Sequence, residues 1–305
     1  MARRAAIDVG TNTVRLLVVE GETPEQLRIV HEEQVITRLG HGLTRGRSLD
    51  PEAVTRTLAE VQRLGEAARA QGAKEIRVVG TSALRESGDG AAFVQALRET
   101  TGLDLLVISG EEEARLALLG TRWGAGLPSR FLLVDIGGGG TELIIADGET
   151  VLTALSLPLG AVHLTESFLT HAPIAWDEYD AMVREIRSRL SSFLPRLAPH
   201  LPVPLVGTAG TVTTLAALDL ALPTYDRRRV QGHRLRRGAI ERLLWRLGTL
   251  PVARRADLPC LEPGRADIII AGTAICLEVL DATGADELIV SDFGLREGIA
   301  LDCLR

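Results

Sequence analysis

The sequence predicts an α/β protein built from two similar lobes, and three observations carry that expectation. Helix-like and strand-like patterns alternate along all 305 residues. The length, with 46% hydrophobic residues, suits two buried cores better than one. A strand, a glycine-rich turn and a second strand occur twice: placing Asp8 over Asp135 aligns IDVGTNTVRLLVV with VDIGGGGTELIIA.

After the first hairpin, SLDPEAVTRTLAEVQRLGEAARAQGAK reads as a helix. Asp50 suits the N-cap, Pro51 the first turn and Gly72 the stop. EIRVVG is a short buried strand that ends in a loop, TSALR. A helix near GAAFVQALRETTG, a strand LDLLVIS and a helix GEEEARLALLGTRWG complete a first lobe taken as residues 1–124, and WGAGLPSR has the composition of a hinge. The second lobe, 125–305, holds the longer helix WDEYDAMVREIRSRLSSFL, then PLVGTAGTVTTLAALDL as strand, glycine turn and helix. An arginine-rich loop TYDRRRVQGHRL, a helix through Trp245, the segment RADIIIAGTAICLEVLDATG and a closing ELIVSDFGLREGIALDCLR follow. The last helix, about 294–305, is expected to pack back on the first lobe.

A net charge of −6 disfavours a dedicated nucleic-acid binder, which needs a broad basic surface, so an anionic ligand must be met locally. Three distant cysteines form neither a metal pair nor a disulfide framework, and no segment approaches the ~20 apolar residues that span a bilayer. A soluble cytoplasmic protein is expected, with no membrane or nucleic-acid partner; homodimerisation is left open.

Successive N–H groups in a tight glycine loop form a nest for phosphate, to which the hydroxyls of Thr11, Thr13 and Thr141 could add donors. A dinucleotide site would need the glycines to open a helix, whereas TELIIADG continues as a strand. Asp8 and Asp135 precede the two turns. A lone Asp before Gly is usually a turn former, but carboxylates paired beside phosphate nests suit Mg²⁺. In SGEEEARL, Ser109 and Glu112 match a capping box and Glu111 gains from the helix dipole, which leaves Glu113. Glu113 is either a solvated helix-face residue, the commoner fate, or a base for an attacking water. Glu142, matched to Arg15, is either an exposed strand residue or a holder of water or metal. Arg85 is suited to a bidentate phosphate contact or a surface ion pair. The stretch Gly207 to Thr211, with Gly207 and Gly210, ends a strand and opens a helix whose N–H groups attract anions.

Together the motifs IDVGTNTVRLLVVE, VGTSALRES, ISGEEEARLALLG, LLVDIGGGGTELIIA, SLPLGAVHLTE, VGTAGTVTTLAAL, YDRRRVQGH, RADIIIAGTAI and VSDFGLREG resemble, in order, the exopolyphosphatase and guanosine pentaphosphate phosphohydrolase (Ppx/GppA) family. The resemblance implies two ribonuclease-H-like lobes of the actin, sugar-kinase and Hsp70 superfold with a cleft between them. It also implies Mg²⁺-assisted hydrolysis of the terminal phosphoanhydride of polyphosphate or guanosine pentaphosphate. On this basis Glu113 matches the catalytic base, Glu142 a water-positioning and metal acid, and Asp8 and Asp135 metal ligands. Gly10, Thr11, Asn12, Thr13, Arg15, Arg85 and Gly137, Gly138, Gly139, Gly140 and Thr141 match the phosphate loops. Departures are Gly140 where serine is usual, Thr11 and Thr13 where serines are common, and Gln231 where histidine is frequent. The extra helical domains of the family's long members are absent, which removes the expectation of long-chain processivity. A kinase of the same superfold and a non-catalytic sensor of alarmone or polyphosphate are the competing readings. The short chain disfavours the first, and the carboxylates Glu113 and Glu142 beside a phosphate site disfavour the second.

Overall fold

The structure, a computed structural model, describes residues 2–43, 48–124, 126–148 and 150–304. The chain divides into two compact units, Met1–Trp123 with Phe293–Arg305, and Gly124–Asp292. Of the expected hinge WGAGLPSR, Ala125 lies outside the described residues.

In the first unit, strands β1 (Arg3–Val9), β2 (Thr13–Glu20), β3 (Arg28–Ile36), β4 (Glu75–Gly80) and β5 (Leu105–Val107) form, among the described residues, a five-stranded sheet of order β3-β2-β1-β4-β5. Helices α1 (Pro51–Ala70), α2 (Ser82–Glu86), α3 (Gly90–Thr101) and α4 (Gly110–Trp123) interleave with it. Residues of β1 and β2 alternate between two cores: Ala5, Ile7, Val9, Leu16 and Val18 in one, Ala6, Leu17 and Val19 in the other. Burial on both faces explains why these strands read as nearly continuous apolar runs. The Asp50 carboxylate accepts from the N–H groups of Glu52 and Ala53, and Gly72 adopts φ +79° after the helix, as the capping signals require.

In the second unit come β6 (Arg130–Ile136), β7 (Thr141–Asp147), β8 (Thr150–Leu157), α5 (Ala161–Phe168), α6 (Trp176–Leu197), β9 (Leu205–Thr208), α7 (Ala209–Asp219), α8 (Arg227–Val230), β10 (Arg234–Arg236), α9 (Arg237–Gly248), α10 (Val252–Ala256), α11 (Ile269–Thr283) and β11 (Glu287–Val290). Its sheet order is β10-β11-β9-β6-β7-β8. Strands β8-β7-β6-β9-β11 repeat the first sheet, with the same two antiparallel and two parallel pairings in the same places. Both sheets are ribonuclease-H-like. The aligned aspartates hold equivalent registers: Asp8 pairs with Arg15, Asp135 with Glu142.

Several elements differ from the sequence reading. TSALR forms the short helix α2, and the arginine-rich loop contains α8 and β10. Strand β3 is not legible in the sequence because it lies at a sheet edge, with polar residues from His31 to Gln34 in its middle and no residue fully buried; β8 and α5 are also absent from the sequence reading.

The closing helix α12 (Leu295–Asp302) belongs to the first unit and lies against α4. The approach is set by glycines: a Cβ on Gly120 would sit 1.8 Å from the Gly294 carbonyl oxygen, and one on Gly298 would sit 1.8 Å from that of Leu116. Thr121 also donates to the Phe293 carbonyl, and the Trp123 and Phe293 rings meet edge to face at 5.5 Å. Because the obstacle is backbone, Gly120→Ala is expected to destabilise the protein by about 3 kcal/mol. Urea unfolding measures this, and an unchanged midpoint would contradict the close packing.

Candidate active site

Each unit builds the same turn from the same bond. In the first, the Gly10 N–H donates to the Thr13 carbonyl at 3.1 Å; in the second, the Gly137 N–H donates to the Gly140 carbonyl at 2.9 Å. A Cβ at either leading glycine would lie 3.0 Å from the accepting oxygen. The N–H groups of Thr11 and Asn12, and of Gly138 and Gly139, find no acceptor among the described residues, which leaves each turn with donors suited to an anion.

The carbonyls of these turns are occupied. Gly40 N–H donates to Thr11 O, and the N–H groups of Thr37 and Arg38 donate to Asn12 O, with Arg38 at φ +55°. In the second unit the N–H groups of Ala161 and Val162 donate to Gly137 O and Gly138 O, and a Cβ on Gly160 would meet Gly138 O and the Gly139 carbonyl carbon at 2.2 Å. Gly160, lacking a side chain, therefore lets the start of α5 approach the turn closely. The hydroxyl of Thr141 donates to the Leu159 carbonyl and is fully buried, so the expected donation from Thr141 to phosphate is corrected: its proton is occupied inside the fold. Asn12 Nδ2, by contrast, is buried and has no hydrogen-bond partner.

At the mouth of the first turn lies Asp8, 4% exposed, with Arg15 Nη1 3.8 Å from Oδ2 and Oδ1 without a hydrogen-bond partner. Burial pushes its carboxyl up to about 6, partly offset by the Arg15 and Arg296 cations. An orphaned buried carboxylate oxygen is what a divalent cation would satisfy, so Asp8 fits the implied Mg²⁺. Asp135 and Glu142 are also buried, and Glu142 Oε1 accepts from the Ser156 hydroxyl at 2.9 Å. Among the described residues no three His, Cys, Asp or Glu side chains gather as a metal cage.

Glu113 and Arg85, singled out separately in the sequence, meet. Arg85 Nη1 donates to Glu113 Oε2 at 3.0 Å and to the Ile108 carbonyl at 2.9 Å, within a half-buried site. Arg85 thus orients a carboxylate, a role that its expected phosphate contact did not include. The capping box forms only in half: Ser109 Oγ accepts from the Glu112 N–H, but the Glu112 carboxylate pairs with Arg115 through two 2.7 Å bonds.

At the start of α7, Ala209 takes φ +68° and a Cβ on Gly210 would lie 2.9 Å from Cζ of Arg265. A largely buried guanidinium therefore packs against Gly210 at the helix N-terminus, while Gly207 lies in β9 just before it. Sequence reading missed Arg265; its only signal was its place in RADIII, far along the chain.

The comparisons with known proteins decide the family. A model of the Ppx/GppA phosphatase family matches residues 18–305. The chain belongs to the Ppx/GppA phosphatase family. It is 35% identical to Exopolyphosphatase 2 of Mycobacterium tuberculosis, over 99% of this chain and 98% of that protein. The solved Ppx/GppA enzyme of Aquifex aeolicus is 31% identical with a TM-score of 0.81, covering 99% of each chain. An exopolyphosphatase structure from Cytophaga hutchinsonii, 24% identical, shares the fold at a TM-score of 0.92, over 99% of this chain and 97% of that one.

Asp8 supplies a test by pH. Its folded-state carboxyl titrates near 6 against an ordinary 3.8, so the folded protein keeps a proton that the unfolded chain has lost. The resulting stabilisation is complete below the ordinary value and gone above about 6. In metal-free protein, the stability of Asp8→Asn relative to wild type is expected to grow by roughly 2–3 kcal/mol as pH rises across that window. Urea midpoints measure it; a constant difference would contradict the burial.

Proposed function

We propose that this protein is an exopolyphosphatase that hydrolyses the terminal phosphoanhydride of inorganic polyphosphate and releases orthophosphate. The observation that carries the reading is the doubled glycine turn, each copy with unused N–H donors and a buried aspartate at its mouth. Family membership and the name of the mycobacterial relative support the same substrate class.

In this reading the backbone donors of Thr11 and Asn12 in the first unit, and of Gly138 and Gly139 in the second, bind phosphate oxygens, aided by Arg15 and by the start of α7. Asp8 in the first unit, and Asp135 and Glu142 in the second, are the carboxylates that would hold Mg²⁺, which when bound would neutralise phosphate charge and favour the loss of the leaving oxygen. Glu113 accepts the proton of a water as that water attacks the terminal phosphorus, and Arg85 keeps its carboxylate oriented. Glu142, with Ser156 fixing one oxygen, helps to align the water. The leaving group is the shortened chain. The setting proposed is the cytoplasm, and no described helix is long and apolar enough to cross a membrane.

Orthophosphate release with Mg²⁺ from long polyphosphate, short polyphosphate and guanosine pentaphosphate, side by side, tests the reading. Polyphosphate is expected to be the better substrate; exclusive hydrolysis of guanosine pentaphosphate would replace it with the alarmone activity, and no release from any would favour a sensor. Glu113→Gln should lower turnover by about 10²–10⁴-fold with binding retained. Near-normal turnover in that variant would remove Glu113 from the role of base. Asp135→Asn should raise the Mg²⁺ concentration needed for half activity; an unchanged requirement would remove Asp135 from the ligand set.

A further inference from the structure

The EEAR stretch contains more charge than the proposed base requires. Beside Glu113 stand Glu112 and Arg115, joined by two bonds of 2.7 Å on the first turns of α4. Arg115 Nη2 also donates to Asp302 Oδ1 at 2.8 Å, near the end of α12. The other oxygen of the same carboxylate, Oδ2, accepts from Arg77 Nη1 at 2.6 Å. Arg77 lies on β4, which leads through Gly80 into α2 and so to Arg85. One carboxylate therefore ties α4, which carries Glu113, to the strand that runs into the helix carrying Arg85.

We propose that Asp302 is a positioning residue for Glu113: by binding Arg115 and Arg77 at once, it fixes the separation of α4 from β4, and thereby the 3.0 Å contact of Glu113 with Arg85. The inference deepens the proposed hydrolytic reading and rests on it. Two features make positioning the better account than stability alone. The partners are partly exposed, at 21% for Asp302, 39% for Arg115 and 35% for Arg77, and ion pairs in such settings contribute little to stability. Their planar, multiply bonded geometry, however, holds direction and distance. The packing of Gly120 on Gly294 and of Leu116 on Gly298 fixes how closely α4 and α12 approach, and the Asp302 bridge lies toward the other end of that contact, near Glu113.

The test is phosphate release from polyphosphate with kcat and KM separated. Asp302→Asn is expected to lower kcat about 10-fold with KM within about 2-fold, because misplacing a catalytic group slows the chemical step without loosening the substrate. Asp302→Glu, which keeps the charge, should recover most of the rate. The double variant Glu113→Gln with Asp302→Asn should be no slower than Glu113→Gln alone, since a residue acting through Glu113 has nothing left to position. If Asp302→Asn does not fold, Arg115→Gln cuts the same link and should show the same loss in kcat. A lowered melting temperature with unchanged kcat, a loss confined to KM, or an additive loss in the double variant would each overturn the proposal. Failure of the hydrolytic reading is visible separately, as normal turnover in Glu113→Gln itself.

Discussion

One short backbone bond, from the N–H of a leading glycine to the carbonyl three residues on, organises this protein. It closes Gly10 on Thr13 and again Gly137 on Gly140. The bond turns the chain between two antiparallel strands, sets Asp8 opposite Arg15 and Asp135 opposite Glu142, and frees the intervening N–H groups. It tolerates little at its first position, because a Cβ there would press on the accepting oxygen. The two phosphate nests proposed are built outward from that closure.

The duplication also answers an electrostatic difficulty. A chain with net charge −6 has no broad field to attract a polyanion. Backbone donors carry no net charge and need no counterion, so they can receive phosphate beside the very carboxylates that a metal would require. Burial holds Asp8 partly against ionisation, and a cation would relieve that penalty. Arg15 and Arg296 offset it in part.

Much of the fold was legible because its signals are local. Asp50 caps α1, Gly72 ends it, and the alignment of Asp8 with Asp135 reproduces the sheet register. What escaped depends on residues distant in the chain. The glycine run reads in the sequence as a phosphate nest, whereas its carbonyls also receive the first N–H groups of α5, an approach that Gly160 makes possible. Gln231, uninterpretable in the sequence, accepts from the Asp292 N–H at 2.8 Å and so serves the structure of the second unit. The pairing of Arg85 with Glu113 spans 28 residues and that of Arg115 with Asp302 spans 187, and no periodicity records such meetings. Glu112 misled because a capping box and an i,i+3 ion pair share the same spacing.

The central claim is that water attacks the terminal phosphorus of a polyphosphate chain. Hydrolysis in ¹⁸O-labelled water, followed by mass analysis of both products in single turnover, tests it most directly. The account predicts one labelled oxygen in the released orthophosphate and none in the shortened chain. Label at the new chain end, or transfer of the phosphoryl group to an acceptor without label, would contradict it.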